Sequence, residues 1–167
     1  AQIGAESGWR TAETGSIKAA AKAQGITLKF SDAQQKQENQ IKALRSFIAQ
    51  KVDVIALAPV VESGWDTVLQ EAKKAKIPVI IVDRTINVKD ESLYATFVGS
   101  DFPLEGKNAA IEMAKLLNNT GNIVELQGTV GSSAQVDRLK GFADEIAKYS
   151  NIKMLASQSG DFTIAKG

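Results

Sequence analysis

The chain of 167 residues has no cysteine and no histidine. The first absence removes thiol nucleophiles and thiolate zinc sites, and the second removes the commonest general base near neutral pH. Most hydrolytic mechanisms are thereby disfavoured, and the chain reads as a non-enzyme without cofactor or metal. No block of one charge sign is present either: 20 basic residues face 19 acidic ones, a net charge of +1. Nothing steers such a surface toward nucleic acid or an anionic membrane. No apolar run approaches the roughly 18 residues that a spanning helix needs, and no charged-then-apolar leader opens the chain. Lack of cysteine fits exported and cytosolic proteins alike and fixes no compartment.

What is present is an ordinary core-forming composition, 44% hydrophobic and 23% charged. Short β-rich runs at 26–30, 52–58, 77–82, 94–99, 122–127 and 152–157 alternate with segments of helical periodicity, such as Ile41, Leu44 and Ile48 or Val136, Leu139, Ala143 and Ile146. This predicts an α/β fold, a parallel sheet with helices on both faces. VDVIALA and IPVIIV are nearly continuous apolar runs, as expected of strands covered on both sides. Gly25 and Gly121 stand where helix C-caps belong. Ala1–Gly4 reads as the end of a strand begun upstream, followed by a helix from Gly8 to Gln24, and Asp161–Thr163 as the entry to a further helix. The chain is therefore expected to be a piece of a longer protein, with apolar surface exposed where missing elements would pack.

In open parallel sheets ligands sit beyond the carboxyl ends of the strands, so those loops carry the function. Here they hold Glu6-Ser7-Gly8-Trp9-Arg10, Asp83-Arg84, Ser100-Asp101, Gly128 to Ser133 with Asp137-Arg138 beyond, and Gln158 to Phe162. Arginines, carboxylates and aromatics together suit a neutral polyhydroxyl ligand: carboxylates and guanidinium forks bridge hydroxyl pairs, and an aromatic face covers the C–H side of a ring. No glycine-rich phosphate cradle occurs. The tetrapeptide ESGW appears twice, at Glu6–Trp9 and Glu62–Trp65, and holds both tryptophans of the chain. Capping accounts for its serines and the turn for its glycines. Each tryptophan either packs under a loop or walls the ligand site, and only the first copy is expected to touch ligand. The run Gln34–Gln40 reads as a solvated helix start, and Asp83-Arg84 as more than a surface ion pair.

The stretches ESGWR (6–10), QQKQENQIKALRSFIAQKVDVIALAPV (34–60), VDRTINVKDESLY (82–94), NIVELQGTVGSS (122–133), DRLKGF (137–142) and SQSGDFT (157–163) resemble the sugar-binding, type I periplasmic binding proteins of ABC transporters. The resemblance implies two lobes, 1–100 and the first part of a second at 101–167. They would close by a hinge around a monosaccharide, galactofuranose or a similar sugar, and hand it to a membrane permease from the periplasm. Trp9, Arg10, Asp83 and Arg84 would contact the sugar from the first lobe. Arg138 and Phe162, with Asp161 beside it, would do so from the second, and Asp101 would mark the first crossing. Ile164 departs from the family pattern, where arginine or another polar residue is usual. Two other readings compete: a sugar-sensing effector domain of a LacI-type transcriptional regulator, and an enzyme using Asp83 and Asp101 as acid and base, whose spacing does not recommend it.

Overall fold

The computed structural model describes residues 1–167, in two compact units, Ala1–Gly99 and Ser100–Gly167. In the first unit, helix α1 (Gly8–Ala23) starts at Ser7, whose side chain accepts from the Arg10 amide. It ends in a Schellman turn: the Ile26 amide reaches Ala21 O and the Gly25 amide reaches Lys22 O, with Gly25 at φ +68°. Helix α2 (Gln37–Ala49), strand β1 (Ile55–Leu57), helix α3 (Asp66–Lys74) and strand β2 (Val79–Asp83) follow. A 3-10 turn at Glu91–Leu93 leads into strand β3 (Thr96–Gly99). The strands pair in parallel in the order β1-β2-β3. Beside β1 runs the opening backbone: the Ala58 amide donates to Ala1 O, the Gln2 amide to Ser31 O, and the Ala33 amide to Gln2 O. The core beneath holds Leu44, Phe47, Ile55, Leu57, Trp65, Leu69, Val79 and Ile81.

Three expectations change here. Residues 26–30 make no ladder: the only bridge nearby joins Gln2 to Asp32, and the Gln2 backbone bonds to Ser31 and Ala33, past that run. Ile26, Leu28 and Phe30 are accordingly exposed. The strands of this unit are fully buried on one face, at Ile55, Leu57, Val79 and Ile81, and only partly covered on the other, where Ile80 and Val82 are half-buried and Val54 and Ala56 open. The stretch 34–40 is not simply solvated: Gln34 and Gln35 make a left-handed turn, and Gln40 is fully buried.

The second unit is helix α4 (Phe102–Leu116), strand β4 (Gly121–Gln127), helix α5 (Ser133–Ile146) and strand β5 (Ile152–Ser159). Asp101 caps α4 by accepting from the Leu104 amide, and Ser132 caps α5 by accepting from the Gln135 amide. Gly121 opens β4 instead of closing α4, whose exit is made by Asn118 and Asn119 in left-handed conformations that asparagine tolerates. β4 and β5 pair in parallel with an irregularity at Ile123/Val124. The two helices meet closely: a Cβ on Gly106 would strike the backbone of Arg138 and Phe142, and one on Gly141 the backbone of Pro103. Asp161 and Phe162 form a left-handed turn after β5, and residues 163–167 continue as turns.

Candidate functional site

The carboxyl ends of the first unit's parallel elements gather one buried polar cluster. Helix α1 begins beside the carboxyl ends of the strands, so Arg10 lies in its first turn near Asp83. Glu6, just before the Ser7 cap, and Arg10 and Glu13 within the helix then stand at i, i+4, i+7 spacing and meet on one side. The Arg10 guanidinium is 3% exposed and is held on three sides. Nε lies 3.5 Å from Glu6 Oε1, Nη1 donates to Glu13 Oε2, and Nη2 donates to Asp83 Oδ2 at 2.8 Å. Burial pulls the Arg10 pKa down; the Asp83 hydrogen bond and the Glu13 charge outweigh it and leave the pKa above its ordinary value. Glu13 Oε2 also accepts from the buried Gln2 amide at 2.9 Å.

Asp83 closes β2 in a left-handed conformation, φ +66°, which turns its carboxylate toward both arginines. Arg84 Nε is 3.7 Å from Asp83 Oδ2, and Arg84 Nη1 donates to Val60 O at 3.3 Å. That carbonyl belongs to the loop after β1, which Gln40 fixes by donating to Ala58 O at 2.6 Å and accepting from the Val60 amide at 2.9 Å. Over this buried layer stands Trp9, 57% exposed, with the Arg10 guanidinium 4.9 Å from its ring centroid.

The second ESGW copy is built differently. Gly64 takes φ +88°, the Ser63 carbonyl accepts from Gln37 Nε2 at 2.6 Å while its side chain caps no helix, and Trp65 is the residue that precedes α3. Trp65 is fully buried and its indole donates to Val61 O at 2.8 Å, so it is core.

In the second unit the sequence-derived candidates lie in two places. Asp101 caps α4. Arg138 on α5 is half exposed, pairs with Glu105 Oε2 at 2.7 Å and lies 4.5 Å from the Phe102 ring centroid. Asp137 beside it has a raised pKa, from burial first and from the Asp101 charge second. At the carboxyl end of β4 and β5, the Phe162 ring occupies the space that a Cβ on Gly128 would need. The Asp161 carbonyl accepts from Thr129 Oγ1 at 3.3 Å, and its carboxylate pairs with Lys166 at 2.8 Å. Arg10, Asp83 and Arg84 thus form one buried cluster with Trp9 above it, and Asp101 serves as a cap. Sequence reasoning missed Glu13 and Gln40, and named Glu6 only as part of its loop. The helical spacing of the two glutamates about Arg10 was a readable signal; the burial of Gln40 left none.

A family model of the periplasmic binding protein domain matches residues 3–166. Among curated proteins, the galactofuranose-binding protein of Escherichia coli (strain K12) is 59% identical over 99% of this chain and 52% of its own length. The fructose import binding protein of Bifidobacterium longum (strain NCC 2705) is 36% identical over 96% of this chain and 50% of its own. Among solved structures, a galactofuranose binding protein matches with a TM-score of 0.97 at 58% identity, covering 99% of this chain and 56% of that one. The periplasmic binding component of the arabinose ABC transporter from Shewanella sp. ANA-3, bound to α- and β-L-arabinofuranose, matches at 0.96 and 57% identity, over 99% and 55%. The chain spans about half the length of the curated relatives it matches.

Proposed function

We propose, from the premise that this chain belongs to the periplasmic binding protein domain family, that it is part of a solute-binding protein that captures a monosaccharide for an ABC importer. It binds without chemistry and passes the sugar to a membrane permease from the periplasm. No helix is long and apolar enough to cross a membrane. The sugar is galactofuranose, arabinofuranose or a close analogue, by the names of the similar proteins.

The observation that carries this reading is the exposed Trp9 face set over the buried Arg10–Asp83–Arg84 cluster. An aromatic plane takes the C–H side of a sugar ring, while held guanidinium and carboxylate groups take its hydroxyls. Asp101, Arg138, Asp161 and Phe162 are proposed as further contacts. The similar curated proteins named above are binding proteins, and nothing in the chain favours a transcriptional regulator.

Titration of tryptophan fluorescence tests the proposal, because Trp65 is buried and Trp9 is the exposed reporter. A panel of pentoses and hexoses in furanose and pyranose forms should give a saturable change with at least one furanose. The response should vanish in Trp9→Ala, and binding followed by calorimetry should weaken in Arg84→Ala. Silence toward every sugar in the full-length protein would refute the reading.

A further inference from the structure

Charge does not balance at the buried cluster of the first unit. Glu6, Glu13 and Asp83 supply three carboxylates against the two guanidinium groups of Arg10 and Arg84, and none of these side chains is more than 13% exposed. Two carboxylate oxygens, Glu6 Oε2 and Glu13 Oε1, are closed off from solvent and accept no hydrogen bond. An ionised carboxylate only accepts, and a guanidinium has five N–H donors, of which Arg10 commits three to Glu6, Glu13 and Asp83. The cluster therefore carries surplus negative charge, with two carboxylate oxygens left without a donor, beneath the proposed sugar platform.

Resting on the sugar-binding reading above, we infer that Glu6 and Glu13 set the charge selectivity of this site: it takes neutral or cationic polyols and turns away sugar acids. A neutral sugar carries no charge and an ammonium group carries a positive one, so neither is repelled by the surplus negative charge. A carboxylate on the ligand adds a second uncompensated charge. At an effective dielectric near 20, like charges about 5 Å apart repel enough to weaken binding at least about tenfold. Asp83 alone would not do this, because Arg10 and Arg84 outnumber it; the excess comes from Glu6, just before α1, and Glu13 on it.

The test uses three sugars of one ring, D-galactose, D-galacturonate and D-galactosamine, titrated calorimetrically at pH 7 into the full-length protein and its Glu13→Gln variant. The wild type should bind galactosamine about as well as galactose or better, and galacturonate at least about tenfold more weakly. In Glu13→Gln the ratio of galacturonate to galactose affinity should rise several-fold, whatever happens to affinity overall. A purely structural role for Glu13 would weaken all three sugars alike and leave the ratio unchanged. Equal binding of acid and neutral sugar by the wild type, or an unchanged ratio in the variant, would overturn the inference. If none of the three sugars binds, the evidence counts against the sugar reading, and thermal unfolding at pH 7 decides the charge inference separately. Surplus charge requires that Glu6→Gln or Glu13→Gln melt no lower than wild type; a fall in both would show a balanced cluster and refute it.

Discussion

Asp83 combines a charge with an unusual backbone. A non-glycine residue at φ +66° costs roughly 1–2 kcal/mol unless its side chain tolerates that region, as aspartate and asparagine do. Asp83→Asn keeps that tolerance and the size of the side chain while removing the charge that faces Arg10 and Arg84. Hydrogen bonds to charged groups contribute about 1.5–3 kcal/mol, so sugar affinity should fall at least about tenfold in calorimetric titration. Unchanged affinity would mean that the backbone, and not the charge, selects the aspartate. Asp137 presents the opposite situation, because burial and Asp101 raise its pKa. A carboxyl whose folded pKa lies above its unfolded value binds more protons when folded, so stability drops as pH rises through that range. Asp137→Asn should therefore raise the melting temperature at pH 7, with the gain closing as the pH falls toward the ordinary aspartate range near 4. Thermal melts from pH 3 to 7 check this, and an equal gain at every pH would contradict it.

Helices α4 and α5 approach so closely because Gly106 and Gly141 put no side chain between them. Gly106→Ala should destabilise the second unit by about 1–3 kcal/mol, since backbone rather than a mobile side-chain tip stands in the way. Gly15 is the contrast: it lies inside α1 with nothing within 4 Å of an added Cβ, so Gly15→Ala should stabilise by about 0.5–1 kcal/mol. Chemical denaturation of both variants would test the pair, and equal effects would defeat the packing argument. The same contrast explains what the sequence made legible. Helix α1 was readable from local signals, the Ser7 cap and the Gly25 exit, and β2 from its apolar run. Residues 26–30 looked like a strand because a strand pattern does not reveal whether a neighbour exists to pair with. The tie between Arg10 and Asp83 crosses 73 positions, and the seat of Gln40 under the β1 loop is equally non-local. Arginine and aspartate were recognisable as candidates by their place after strands, as was Glu6 in the same loop, whereas Glu13, one turn into the helix, drew no notice.

Both units leave apolar side chains in the open. In the first these are Ile26, Leu28, Phe30 and Val54; in the second, Val124, Leu126 and Leu155, on or beside its two parallel strands. Scattered apolar residues are normal on a surface, but runs of them along extended backbone form the patches through which chains associate. A net charge of +1 supplies almost no repulsion to hold copies apart. The 167-residue chain produced by itself should therefore bind a hydrophobic dye such as ANS and self-associate at micromolar concentration, as seen by sedimentation velocity. Because the driving force is apolar burial, added salt should not dissolve the assemblies, whereas Leu28→Lys with Leu126→Lys should shift the distribution toward monomer. If association were instead electrostatic, salt would reverse it and the lysine pair would have no special effect. A clean monomer without dye binding would mean that these side chains do not act as an apolar surface in solution.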